Sequence, residues 1–262
     1  MIRFESIDGV TLHIQRDGPG SGNPCLAFIN SLGTDLRIWD PVIPHLRPEF
    51  ATLRHDKRGH GLSDCPAGPY TLSDHTKDLA GLLDRLGLDS VILVGISIGG
   101  IIALNYASLS PQSVEAMVLC DTAAKIGTAS YWNERIEAVK KSGMEDMADR
   151  ILERWFSPDY HLSHPADYRG YRNMLLRTPV EGYTATCAGL GEADLTGILG
   201  AVAARTLVLT GTADLATPPA LGHQLAEGLP NAEFDIIEGA GHLACIEQPA
   251  RLADRINRFL AA

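Results

Sequence analysis

The sequence predicts an α/β fold: a mostly parallel central sheet flanked by helices and interrupted by an inserted all-helical segment. Three observations carry this reading. Apolar runs at 25–29, 91–94 and 116–120 have the pattern of strands buried on both faces. Stretches of helical periodicity alternate with them, as in successive βα units. From about 122 to 196 strand signal is absent and apolar residues recur at helical spacing, until strand-type sequence returns at 205–210 and 233–238. The simplest organisation is one core, residues 1–121 and 197–262, with residues 122–196 inserted as a helical lid.

The chain opens with two short strands within 2–16 around an Asp8-Gly9 turn, a hairpin signal. Residues 17–24, rich in glycine and proline, are loop by composition. After the strand at 25–29, Gly33 and its small polar neighbours predict a tight bend. A short strand at 51–54 leads into Asp56-Lys-Arg-Gly-His-Gly-Leu-Ser63, a D-x-R-G-x-G-x-S pattern. It reads as a tightly folded structural loop with Asp56 paired to Arg58. Residues 72–88 form an amphipathic helix, capped by Ser73 and Asp74 and ended by Gly87. Within the insertion Trp132, Ile136 and Val139 share one helix face, and Met147, Ile151, Leu152 and Trp155 share another. An amphipathic helix at 248–260 closes the chain.

Composition narrows the function classes. Hydrophobic residues at 45% and charged residues at 21% are ordinary for a globular protein. No apolar run approaches the roughly 20 residues that cross a bilayer, and residues 1–6 carry no signal-peptide core. A cytoplasmic protein without membrane contact is expected. Five scattered cysteines, with no C-x-x-C pair, fit reduced thiols rather than a disulfide framework or a zinc site. A net charge of −10 argues against nucleic acid as a partner, and an anionic small molecule would need a local cation. His55 and His60 lack the company of a metal site, so neither metal nor other cofactor is expected.

The chemistry centres on Gly95-Ile-Ser-Ile-Gly99, a G-x-S-x-G sequence between an apolar strand and an apolar helix. That context reads as a nucleophile elbow, the alternative being a glycine-rich strand–helix turn of another α/β fold. Crowding at so sharp a turn demands near-absent side chains two positions either side of Ser97. The turn aims the N–H of Ile98 and the start of the helix dipole at a developing oxyanion. The N–H of Leu32, in the loop after the 25–29 strand, is the candidate second donor; an ordinary strand–helix loop is the alternative. A serine needs a base and the base an orienting acid. His242, in Gly239-Ala-Gly-His-Leu243, is the candidate base, because His223 falls on a helix over Pro219–Gly228. Asp214, just past a strand and followed by prolines, is the candidate acid. Asp121 competes, since it too ends a strand; otherwise it ties down the first hinge of the lid. The reaction class is acyl transfer to water.

With these residues in place the chain resembles α/β-hydrolases along its whole length, and more narrowly 3-oxoadipate enol-lactonases. The likeness rests on Asn30-Ser-Leu-Gly-Thr-Asp35 with Trp39, on His55-Asp-Lys-Arg-Gly-His-Gly61, on Gly95-Ile-Ser-Ile-Gly-Gly100, and on Cys120-Asp-Thr-Ala-Ala-Lys-Ile-Gly127 with Trp132 and Arg135. The elbow and the D-x-R-G loop are shared across the superfamily; the 120–135 segment, at the lid entrance, is more particular. Ile96 and Ile98 stand where leucine and methionine are expected, which leaves the chemistry intact. The resemblance implies the α/β-hydrolase fold and a lactone ring opened through a serine acyl-enzyme in aromatic-compound catabolism. It implies a small anionic lactone as substrate. The substrate carboxylate then needs a cation, and Arg135 is the first candidate, Lys125 the second. Arg135 also reads as a solvated or salt-bridged lid residue, and Trp132 as lid core or substrate wall. A general carboxylesterase or a cofactor-free perhydrolase on the same triad is the competing activity. A dehalogenase would need aspartate at position 97, and intact Ser97, Asp214 and His242 count against a non-enzymatic ligand-binding protein.

Overall fold

The computed structural model describes residues 2–19 and 24–261, so part of the loop expected at 17–24 lies outside the described residues. The hairpin is β1 (Ile2–Ile7) and β2 (Val10–Asp17), turning at Asp8 and Gly9, both at positive φ. β3 (Cys25–Ile29), β4 (Ala51–His55), β5 (Val91–Ile96), β6 (Val114–Cys120), β7 (Arg205–Gly211) and β8 (Ala232–Ile237) follow. Among the described residues these form one sheet of eight strands in the order β1-β2-β4-β3-β5-β6-β7-β8. Only the pairs β1–β2 and β2–β4 are antiparallel. Every residue of β3 and β5 is buried, which is why both read as unbroken apolar runs.

The strand order reverses beside β3, with β4 on one side and β5 on the other. Loops leaving the carboxyl ends of β3 and β5 therefore diverge, and in open α/β sheets the crevice so formed holds the ligand. The loop after β3 carries Leu32, and β5 runs into Ser97.

Two helices cover this half of the sheet. The cap of α1 (Leu72–Arg85) lies two residues earlier than expected: Thr71, not Ser73, is the cap. Thr71 is extended while Ser73 already lies within the first turn. The Thr71 hydroxyl accepts the Asp74 N–H at 3.1 Å and the Asp74 carboxylate accepts the Thr71 N–H at 2.7 Å. α2 (Ile98–Leu109) is apolar on nearly all sides and packs against β5. At the elbow the glycines are demanded by contact. A Cβ on Gly95 would lie 2.3 Å from the Gly99 carbonyl oxygen, and one on Gly99 would lie 2.1 Å from that of Ile29.

Between β6 and β7 the described chain is helical apart from its loops: α3 (Ala129–Trp155), α4 (Tyr160–Ser163), α5 (Pro165–Leu176) and α6 (Val180–Glu192). α3 breaks at Gly143, with φ 78° and ψ 173°. The Trp132 and Val139 face and the Ile151, Leu152 and Trp155 face thus belong to two differently directed segments, and both are buried. The insertion is pinned to the D-x-R-G loop. A Cβ on Gly182 of α6 would lie 2.2 Å from the Gly59 carbonyl oxygen, so backbone meets backbone there. The Tyr70 N–H donates to the Ala185 carbonyl at 3.1 Å.

Asp56 and Arg58 are not a pair. The loop turns them to opposite sides: Arg58 forks onto Asp78 of α1, with both N···O distances 2.6 Å. Asp56 turns inward, accepting the N–H groups of Leu36 at 2.7 Å and Leu62 at 2.9 Å and lying 2.7 Å from His13 Nδ1. The sheet is completed by α7 (Pro219–Gly228), the short α8 (Ala244–Glu247) and α9 (Pro249–Ala261). α9 buries Leu252, Ala253, Ile256 and Phe259 along one stripe. No helix among the described residues is long and apolar enough to cross a membrane.

The elbow contacts predict that Gly99→Ala costs at least about 2 kcal/mol, as a forced backbone shift does. Thermal unfolding would show a Tm lower by about 4–8 °C for a chain of this size. An unchanged Tm would contradict the packing described.

Candidate active site

The ends of β3, β5, β7 and β8 carry the candidate site residues at this face. Ser97 follows β5 with φ 58° and ψ −124°, a strained conformation for a residue with a side chain. Its backbone is held from β6: the Ser97 N–H donates to the Cys120 carbonyl at 3.1 Å, and the Thr122 hydroxyl donates to the Ser97 carbonyl at 2.7 Å. Gly100 faces Thr122 so closely that a Cβ would lie 2.6 Å from its methyl. The serine side chain is thereby aimed away from the sheet into a cavity of about 280 Å³.

His242 lines the same cavity, in the loop between β8 and α8. Its Nδ1 lies 2.9 Å from Asp214 Oδ2, and both side chains are almost wholly buried. That bond places the proton on Nδ1 and leaves Nε2 as the basic nitrogen. Asp214 follows β7 in a turn that supplies its own donors. The N–H groups of Ala216 and Thr217 reach Oδ1 at 2.7 and 3.0 Å, and the Thr217 hydroxyl reaches Oδ2 at 2.7 Å. Burial alone would raise the Asp214 pKa, but the His242 charge and these hydrogen bonds outweigh it and bring the pKa down to about 2. The residue stays ionised and orients the imidazole.

The competing acid, Asp121, does not reach His242. It sits buried at φ 45° after β6, with its Oδ1 accepting the Gly211 N–H at 2.8 Å. It therefore stitches the end of β6 to the end of β7 rather than tying the hinge of the insertion. Burial and the nearby Asp214 charge push it well above the usual carboxylate range.

Leu32 and Ser31 form part of the cavity wall beside Ser97, and Ile98 begins α2. The two residues expected to supply oxyanion donors, Leu32 and Ile98, thus lie in the loop after β3 and at the start of α2. Ala123, Lys125 and their neighbours lie on another surface: Lys125 Nζ pairs with Asp194 at 2.9 Å, both half-exposed, and Lys125 does not line the cavity. Arg135 does. It donates to the hydroxyls of Tyr183 at 3.2 Å and Tyr131, and its guanidinium lies 5.3 Å from the Tyr131 ring centroid. Trp132 serves both readings, since it lines the cavity while its Nε1–H is buried against the Ile126 carbonyl at 2.6 Å.

Sequence reasoning missed two contributors. Arg154 lines the cavity from beyond the Gly143 break, with its guanidinium 6.0 Å from the Tyr131 ring. Neither Arg135 nor Arg154 is paired with a carboxylate among the described residues. The second is Thr217, three residues after Asp214, whose N–H and hydroxyl both donate to the Asp214 carboxylate. The arrangement places a serine hydroxyl, an imidazole bonded to a buried carboxylate, and two arginines beside one small cavity.

Residues 26–255 match the alpha/beta hydrolase family profile. The chain belongs to the α/β-hydrolase family. It is 33% identical to 3-oxoadipate enol-lactonase 2 of Acinetobacter baylyi over 226 residues, covering 86% of this chain and 84% of that one. It is 32% identical to 3-oxoadipate enol-lactonase 1 of the same organism, covering 99% of this chain and 96% of that one. The crystal structure of the enol-lactonase from Burkholderia xenovorans LB400 matches this hydrolase with a TM-score of 0.96 at 35% identity, over 99% of this chain and 100% of that one. The resemblance seen in the sequence extends to both comparisons.

The Asp214 environment sets an acid limit on stability. Its folded pKa lies below the ordinary 3.8, so the stability it contributes is present above about pH 4 and is lost as pH falls toward 2. The unfolding free energies of wild type and Asp214→Asn should therefore converge over that window in denaturant titrations. A constant gap would contradict the assignment of Asp214 as the ionised partner of His242.

Proposed function

We propose that this α/β-hydrolase opens the ring of 3-oxoadipate enol-lactone through a serine acyl-enzyme, as a step in aromatic-compound catabolism. The observation that carries the reading is the set of groups around one cavity. Ser97, His242 with Asp214 behind it, and Arg135, whose hydrogen bonds among the described residues go to tyrosines, make up that set. The enol-lactonase relatives supply the substrate class.

In this mechanism Ser97 Oγ attacks the lactone carbonyl while His242 Nε2 takes its proton. The N–H groups of Ile98 and Leu32 hold the tetrahedral oxyanion; losing one such donor costs about 3 kcal/mol. Collapse breaks the ring C–O bond, and His242 returns the proton to the departing enolate oxygen. The enol then becomes a ketone, which disfavours reclosure. Water, deprotonated by the same imidazole, hydrolyses the acyl-enzyme and frees the second carboxylate.

Arg135 anchors the carboxylate that the substrate already carries. On a protein of net charge −10 that local cation is needed to hold an anionic ligand. The helices between β6 and β7 act as a lid over the sheet, carrying this anchor while the core carries the triad. Separate placement lets the anchor change without disturbing the chemistry.

Turnover of the lactone, followed by ultraviolet absorbance beside a nitrophenyl ester, tests the reading. Wild type should consume lactone much faster than ester, and Ser97→Ala should abolish both. Arg135→Ala should raise KM for the lactone about 10–100-fold, as loss of a charged hydrogen-bonding partner does, with ester kinetics nearly unchanged. Fast ester cleavage with the lactone untouched would leave a general esterase and sink the substrate assignment.

A further inference from the structure

The triad makes no use of Lys57, yet the fold buries it to 2% exposure beneath the loop that follows β3. Its Nζ donates to two main-chain carbonyls, of Ser31 at 2.8 Å and Asn30 at 3.1 Å. No carboxylate forms an ion pair with it among the described residues. Burial pulls its pKa down to about 7, against the opposing charges of Asp56 and Asp35. The buried His55, His60 and His75 near it are driven toward the neutral form, first by burial and next by the Lys57 charge itself. A buried ammonium without an ion partner is costly, so its effect on its two acceptors is informative.

The Ser31 carbonyl and the Leu32 N–H are opposite ends of one trans peptide unit. With the oxygen drawn toward Lys57, the N–H points the other way, on the side of the loop whose Ser31 and Leu32 line the Ser97 cavity. The same oxygen also accepts the Thr34 hydroxyl at 2.9 Å and the Thr34 N–H at 3.4 Å. The Leu32 N–H itself is bonded to no acceptor among the described residues. Donors crowded on the oxygen of an amide strengthen its N–H as a donor, the cooperative effect found along hydrogen-bond chains.

We propose that Lys57 is a positioning residue of the oxyanion site: its ammonium fixes the carbonyls of Asn30 and Ser31 and polarises the amide whose Leu32 N–H receives the oxyanion. The inference rests on the serine acyl-transfer reading above. It concerns negative charge that exists only after Ser97 attacks. Its effect therefore belongs to kcat rather than KM.

The test compares wild type, Ser97→Ala, Lys57→Met and Lys57→Gln on the lactone and the nitrophenyl ester. Alongside turnover, inhibition is measured with an aryl trifluoromethyl ketone, which adds serine to form an oxyanion, and with a simple carboxylate product analogue. Lys57→Met should lose about tenfold in kcat, less than removal of a whole donor, and about the same factor in affinity for the ketone. KM and affinity for the carboxylate should stay within about twofold. Lys57→Gln, which keeps a donor without the charge, should fall between, and it carries the comparison if the methionine variant does not fold. Ser97-dependent turnover that is indifferent to both substitutions overturns the inference alone. So does a loss of kcat with ketone affinity unchanged. Inactive wild type, or activity surviving Ser97→Ala, overturns the acyl-transfer reading and this inference with it.

Discussion

The site depends on how closely β3, β5 and α2 approach one another. Gly99 rests on the carbonyl at the end of β3 and Gly95 on the first turn of α2, so the chain can turn only through Ser97. The price of that turn is a strained φ, held from both sides: the Ser97 N–H donates to the Cys120 carbonyl of β6, and the hydroxyl of Thr122, just past β6, donates to the Ser97 carbonyl. Once the elbow is fixed, so is the crevice between the loops after β3 and β5. The neighbouring strands β7 and β8 then bring Asp214 and His242 to the same edge. Four separate strand ends thus meet at one place because the sheet is parallel there.

Electrostatics are organised in layers around that edge. In the core, Asp214 is surrounded by donors that keep it ionised, while Asp121 one strand away is pushed toward neutrality. Two neighbouring buried carboxylates are thereby shifted in opposite directions, and only Asp214 is bonded to His242. On the helical insertion, Arg135 is held by tyrosine hydroxyls and a tyrosine ring instead of an acid. The insertion sits close because Gly182 meets Gly59 without side chains between them, which gives the D-x-R-G loop its structural role.

Much of this was legible in the sequence because several elements impose local demands. Buried parallel strands require apolar runs, the elbow requires glycines at fixed offsets, and the order of Ser97, Asp214 and His242 follows the strand ends. What the sequence left open was direction. Asp56 and Arg58 are two residues apart yet point to opposite sides, one under the loop after β3 and one toward α1. Asp121 and Asp214 both end strands, and only the Nδ1 contact separates them. Lys125 lies close in sequence to Trp132 and Arg135 but faces Asp194. Arg154 escaped notice because Gly143 redirects the helix that carries it.

The central claim is that Ser97 is the nucleophile activated by His242. Intact-protein and peptide mass spectrometry after treatment with a fluorophosphonate tests it most directly, because that reagent captures an activated serine without requiring the substrate to be known. The account predicts one adduct per chain, located on Ser97, with labelling greatly slowed in His242→Ala. An unlabelled protein, or an adduct on another residue at the same rate, would contradict it.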